Sequence, residues 1–126
     1  MKRTIAVIAG GDSAEIVISR QTADHIFNTL DRDLYDPYLL EMIGLEWNVK
    51  INEQSYPIDK NDFSFTKDGK KIKFDFAYIA IHGTPGENGV LQGYLQLLQI
   101  PHSTCGVLSS SLSFNKHACN SYLQNL

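Results

Sequence analysis

Cysteine is scarce in this sequence: Cys105 and Cys119 are the only two among 126 residues. Two are too few for a disulfide framework, and they read as free thiols in a reducing compartment. Long apolar runs are missing as well. The run Ile5 to Ala9 stops at Gly10-Gly11-Asp12, too short for the apolar region of a secretory signal, although Met-Lys-Arg precedes it. No later stretch approaches the roughly 20 apolar residues of a membrane span. Positive charge is not in excess either. Eleven Lys and Arg stand against fourteen Asp and Glu, a formal charge of −3, which disfavours nucleic acid as a partner. Repeats, low-complexity tracts and linkers are absent. What the sequence does hold is 43% hydrophobic against 20% charged residues, enough for a packed core. The length suits a single domain. The expectation is one soluble, cytoplasmic domain without membrane contact.

Ile5-Ala6-Val7-Ile8-Ala9 is a short continuous apolar run closed by Gly10-Gly11. Such a run fits a strand buried on both faces, as in a parallel sheet. Asp12 and Ser13 are good N-cap residues, and Glu15 suits the first turn of a following helix. Ile16, Ala23, Phe27 and Leu30 then recur at helical spacing up to Asp31-Arg32-Asp33. After the turn residues Asp36-Pro37, the segment Tyr38 to Ile43 reads as a second strand. Strand, helix and strand in that order make a βαβ unit. The polar stretch from Glu46 to Lys73 reads as a small β excursion, with Trp47 to Ile51 as an exposed strand and a hairpin turn at Lys67-Asp68-Gly69-Lys70. Asp75 to Ile81 returns to the buried-strand pattern and stops at His82-Gly83. A helix with Leu91, Leu95 and Leu98 on one stripe follows. Ile100-Pro101 begins a connection, and Ser113 or Asn115 suits the cap of a last helix through Tyr122 and Leu123.

Two segments can carry chemistry. Gly10-Gly11-Asp12-Ser13-Ala14-Glu15 lies at a strand-to-helix turn, where glycines admit a ligand to the backbone and helix N–H groups attract anions. It lacks both the G-x-G-x-x-G and the P-loop spacing. A tight turn with an N-capped helix explains it without a ligand. An ionised Glu15 in the crevice would instead suit a ligand's ammonium group. The second segment is His82-Gly83-Thr84-Pro85-Gly86-Glu87-Asn88-Gly89-Val90-Leu91-Gln92-Gly93. Its His82 follows a buried strand, at the edge where open α/β sheets bind ligands. Glu15 and His82 are thus expected over one edge, and Glu87 can accept a hydrogen bond that fixes the tautomer of His82. Four glycines in twelve residues indicate an unusual backbone path. A plain glycine-rich connection remains the alternative.

Other chemistries are disfavoured. His102-x-x-Cys105 and His117-x-Cys119 look like metal ligands, but residues two apart on a helix face opposite ways, so no metal site is expected. Ser109-Ser110-Ser111 lacks the G-x-S-x-G elbow of a hydrolase. A phosphoacceptor domain would carry acids at both strand ends, whereas one ends in His82-Gly83.

The two glycine-rich blocks resemble the D-alanine–D-alanine ligase family. Gly10-Gly11-Asp12-Ser13-Ala14-Glu15 with Ile18 and Ser19 is similar to its G-G-x-S-x-E-x-x-V-S opening. His82-Gly83-x-x-Gly86-Glu87-Asn88-Gly89-x-Leu91-Gln92-Gly93 is similar to its H-G-x-x-G-E-D-G-x-x-Q-G stretch. Ile100-Pro101 and Gly106 to Lys116 resemble its I/L-P-Y-x-G-x-G-x-x-x-S-A-x-x-M-D-K segment. The resemblance runs through nearly the whole chain apart from Glu46 to Lys73. It departs at Ile16, where a basic residue is usual, at Asn88 in place of aspartate, and at Phe114-Asn115-Lys116 in place of Met-Asp-Lys.

The resemblance implies an α/β fold: a Rossmann-like, pre-ATP-grasp parallel sheet flanked by helices, with the β excursion near 46–74. Residues 1–126 would form the N-terminal substrate-binding domain of a ligase whose ATP-grasp domains lie elsewhere. The end at Gln124-Asn125-Leu126, without a Gly or Pro stop signal, fits a cut inside a longer protein. The implied reaction joins two D-alanines for peptidoglycan by way of a D-alanyl phosphate, with ATP and Mg²⁺ bound mainly by the other domains. Glu15 would hold the ammonium of the first D-alanine. His82, oriented by Glu87, would position its carboxylate. Gly10, Gly11, Ser13 and Gly83 would support the substrate, and Lys116 would reach the nucleotide phosphates. Homodimerisation is also implied. A D-alanine–D-lactate ligase and a stand-alone, non-catalytic ligand-binding module of Rossmann-like fold are the alternative readings.

Overall fold

A computed structural model describes residues 2–11, 16–81 and 90–104. The apolar run becomes strand β1, Arg3–Gly10, and helix α1, Ile16–Thr29, leads on to β2, Tyr35–Ile43. Four short strands follow: β3 (Glu46–Ile51), β4 (Gln54–Pro57), β5 (Ser64–Lys67) and β6 (Lys70–Lys73). The chain then forms β7 (Phe76–Ile79), helix α2 (Val90–Leu97) and β8 (His102–Thr104). Six strands make one sheet in the order β4-β3-β2-β1-β7-β8, and β5 and β6 pair separately. The four strands β2, β1, β7 and β8 are parallel. The α/β class and the parallel core agree with the sequence.

β1 is central because both its faces are apolar. Ile5, Val7 and Ala9 pack with Ala23 and Ile26 of α1, with Leu30 just after it, and with Phe76 and Tyr78. Ala6 and Ile8 point the other way, into a cluster with Phe63, Phe65, Phe74, Ile79, Leu91 and Leu95. The period-2 alternation of side chains thus feeds two cores from one strand. Each large aliphatic residue so buried contributes roughly 1.5–3 kcal/mol. The helix α1 roofs one face, while α2 and the β5–β6 hairpin roof the other.

Several expectations need correction. Asp36 and Pro37 are not a turn but lie inside β2, opposite Thr4 and Ile5. The antiparallel ladder with β3 begins only at Leu39, so the first part of β2 has an unpaired flank where proline is tolerated. The polar middle is the expected β excursion, with four strands between Glu46 and Lys73, but its pairing and burial differ from the expectation. β3 and β4 extend the main sheet antiparallel, making it mixed, and Val49 is fully buried rather than exposed. The α1 stripe runs through Ile26 instead of Phe27, which is half-buried with the Arg32 guanidinium 4.4 Å from its ring centre. The connection after Pro101 includes an unforeseen strand, β8. The hairpin turn stands where expected, with Asp68 and Gly69 at φ 53° and 75°, the pair of positive values that a two-residue I′ loop demands. The last helix expected up to Leu123 lies outside the described residues.

An aromatic group holds the middle segment to α2. The Tyr94 ring meets Trp47 at 5.3 Å and Phe63 at 5.9 Å, both edge-on. Its hydroxyl donates to the Lys60 carbonyl at 2.6 Å. Burial pushes the Tyr94 phenol up to about 12, and Asp62 and Asp59 add to the rise. A raised phenol stabilises the fold below the ordinary value of 10.0 and loses that contribution as pH climbs through about 12. Tyr94→Phe should therefore cost about 0.5–1 kcal/mol near neutrality. The gap to wild type should narrow as pH rises from about 10 to about 12. Chemical denaturation at a series of pH values checks both, and a gap constant across that window would refute the coupling.

Candidate crevice at the carboxyl edge of the sheet

The geometry of a site starts from which strands end side by side. α1 connects β1 to β2 on one side, and α2 connects β7 to β8 on the other. Because these helices roof opposite faces, the chain direction switches between β1 and β7. A crevice opens at the carboxyl ends of strands at such a point, and open α/β sheets bind ligands there. The two strands are paired in parallel from Ile5 opposite Phe76 to Ile8 opposite Ile79. Their ends lead directly into the two glycine-rich segments singled out in the sequence. Residues far apart along the chain thus enter from one edge.

The end of β1 is tightly constrained. The Gly11 N–H donates to the Met42 carbonyl at 3.3 Å, extending the contact with β2. A Cβ on Gly10 would run into that same Met42 carbonyl oxygen. Gly11 has φ 117°, which L side chains rarely adopt. Both glycines are therefore required by the backbone path, whatever they also do for a ligand. On the other flank, the fully buried Ser19 of α1 accepts a hydrogen bond from the Gly10 N–H at 2.9 Å and donates to the Ala80 carbonyl at 2.8 Å. Ser19 escaped the sequence reading except as a motif letter. A serine on a helix signals nothing unless its burial is known.

Of the site residues expected from sequence, Gly10 and Gly11 stand at this edge. Ser13, Glu15, His82, Gly83, Glu87 and Lys116 lie outside the described residues. Beside the crevice, Arg20 on α1 forks onto Glu41 of β2 at 3.1 and 3.2 Å. The two charges pair with each other at the protein surface. The depression next to it, about 40 Å³ in volume and lined partly by Ala23 and Leu39, has room for only a few waters. Among the described residues no three His, Cys, Asp or Glu side chains converge as a metal site. Nor is any described helix long and apolar enough to cross a membrane.

Comparison with known proteins points the same way. A family model described as "D-ala D-ala ligase N-terminus" matches residues 4–105. A D-alanine–D-alanine ligase from Phocaeicola vulgatus is 55% identical over 125 residues, covering 98% of this chain and 39% of its own. Among solved structures, D-alanyl-alanine synthetase A from Vibrio cholerae has a TM-score of 0.68 at 33% identity, over 80% of this chain and 31% of that one. A D-alanine–D-alanine ligase from Bacillus anthracis complexed with ATP has a TM-score of 0.51 at 32% identity, over 80% and 29%. The chain thus spans about two-fifths of the curated relative's length.

The packing at Gly10 gives a test with its own control. Gly10→Ala should destabilise the domain by roughly 1–3 kcal/mol, because backbone rather than a movable side chain blocks the methyl. Gly93 in α2 has open space and an ordinary φ, so Gly93→Ala should stabilise by about 0.5–1 kcal/mol. Thermal denaturation of both variants measures the pair, and equal shifts in one direction would contradict this account.

Proposed function

The chain belongs to the D-alanine–D-alanine ligase family, whose N-terminal domain it matches over residues 4–105, and from this we propose that it forms the substrate-binding wall of such a ligase. The observation that carries the reading is the adjacency of β1 and β7 at the switch point. In this reading the segment that carries Glu15 and the segment that begins at His82, which follow these two strands in sequence, would line one crevice. The whole enzyme would join two D-alanines into the dipeptide used in peptidoglycan, in the cytoplasm. The ATP γ-phosphate passes to the carboxylate of the first D-alanine, giving an acyl phosphate. The amine of the second attacks that carbonyl, and the tetrahedral intermediate expels phosphate.

Glu15 would fix the ammonium of the first D-alanine, since an ionised acid beside a helix start is stabilised there. His82, held in one tautomer by Glu87, would orient the carboxylate that is to be phosphorylated. Gly10, Gly11, Ser13 and Gly83 would let the backbone approach the substrate, and Lys116 would reach the phosphates. This is positioning and electrostatic work, the usual protein share of phosphoryl transfer. The described residues offer no converging carboxylates for Mg²⁺, so no step through the ion is assigned to this chain. When bound, Mg²⁺ would neutralise phosphate charge. The ATP-grasp domains would be further sequence, consistent with the relatives' greater length. A homodimer is part of the same reading.

Two experiments test it. In the full-length ligase, Glu15→Gln should raise KM for the first D-alanine while leaving ATP affinity little changed. Losing one charge-assisted hydrogen bond costs about 1.5–3 kcal/mol. A loss confined to ATP would speak against the assignment. Residues 1–126 alone should fold, because both strands and their roofing helices are present, but should neither hydrolyse ATP nor join D-alanines. One wall excludes little water, so D-alanine should bind more weakly than about 1 mM. Calorimetry with D-alanine and with ATP–Mg²⁺, beside a coupled ATPase assay, decides. Turnover above background would leave a self-sufficient enzyme and end this reading.

A further inference from the structure

The ladder between β1 and β7 closes with the Ala80 N–H donating to the Ile8 carbonyl at 2.8 Å. In an unbroken parallel ladder the next rung would run from the Gly10 N–H to the Ala80 carbonyl. Here the Ser19 hydroxyl takes its place, accepting from Gly10 at 2.9 Å and donating to Ala80 at 2.8 Å. A rung made of one hydroxyl holds the two strands further apart than a direct N–H···O bond. It also satisfies both backbone groups at full burial. A side chain from α1 thus bridges the two strands at the switch point.

Three segments meet at this oxygen. In sequence Glu15 follows Gly10 by five residues, His82 follows Ala80 by two, and Ser19 follows Glu15 by four. Resting on the function proposed above, we propose that Ser19 is a positioning residue. Its hydroxyl sets the spacing of β1, β7 and the start of α1, and so of the two strand ends after which the proposed site residues follow in sequence. It need not touch substrate. Its proton and one lone pair are committed to the backbone and the residue is fully buried, so its contribution to the reaction is geometric. A hydroxyl is well suited to the task, as it is the smallest group able to donate and accept at once.

The test uses the full-length ligase with Ser19→Ala, Ser19→Cys and Ser19→Thr. Cysteine keeps the size with a poor hydrogen-bonding group, while threonine keeps the hydroxyl. Ala and Cys should lower kcat/KM for D-alanine by about 10- to 100-fold, the scale of a small misplacement of reacting groups. KM for ATP should stay near wild type, at a temperature where circular dichroism shows each variant folded. Threonine should recover most of the loss. Wild-type D-alanine kinetics in the Ala and Cys variants would overturn the proposal. So would equal losses for D-alanine and ATP, failure of threonine to rescue, or failure of both Ala and Cys to fold, which would make Ser19 a residue of the fold alone. A wild-type protein that joins no D-alanines would instead refute the proposed function. That outcome is read before any variant is made.

Discussion

β1 has no free side. Its residues from Ile5 to Ala9 are buried on both faces, and it is paired to β2 along one edge and β7 along the other. A strand so placed forces the rest of the arrangement. Its two apolar faces each need a roof, and the chain supplies α1 for one and α2 with the β5–β6 hairpin for the other. With helices on opposite faces, the parallel connection through α1 runs from β1 to β2 and the one through α2 runs from β7 to β8, away from each other. The crevice is the geometric residue of that choice. Burial of one pentapeptide therefore fixes where a ligand can approach.

The same constraint explains what could be read directly from the sequence. Continuous apolar runs report a strand covered on both sides, and β1 and β7 showed plainly. The leucines of α2 did so too, as Leu91 and Leu95 recur at helical spacing and are buried. What escaped was decided by distant partners. Pro37 looks like a turn until β3 is seen to stop at Leu39. Val49 sits among polar neighbours, and only its place in the sheet buries it. Ile26 and Phe27 are adjacent apolar residues, and either can head a stripe; packing against β1 chose the first. β8 is only three residues long, below what a pattern can mark.

Legibility of the site was of another kind. The glycines at positions 10 and 11 were noticed for ligand access, yet their geometry shows a prior obligation to the backbone. Motif spacing singled out the two segments, and sheet order shows that the strands preceding them in sequence, β1 and β7, are neighbours. Ser19 marks where pattern reading ends. Its hydroxyl matters because two strand ends diverge beneath it, and no local property of the helix encodes that divergence.

At the far margin of the sheet, β4 is four residues long, with Gln54 and Ser55 exposed and Pro57 at its end. An outer strand offers unpaired N–H and C=O groups to any passing chain, and this one offers few. Its length supports little cross-strand bonding, and proline removes one donor outright. The margin is thus protected against edge-to-edge pairing with a second chain. A central strand as apolar as β1 is thereby kept from recruiting a neighbouring molecule through this side of the sheet.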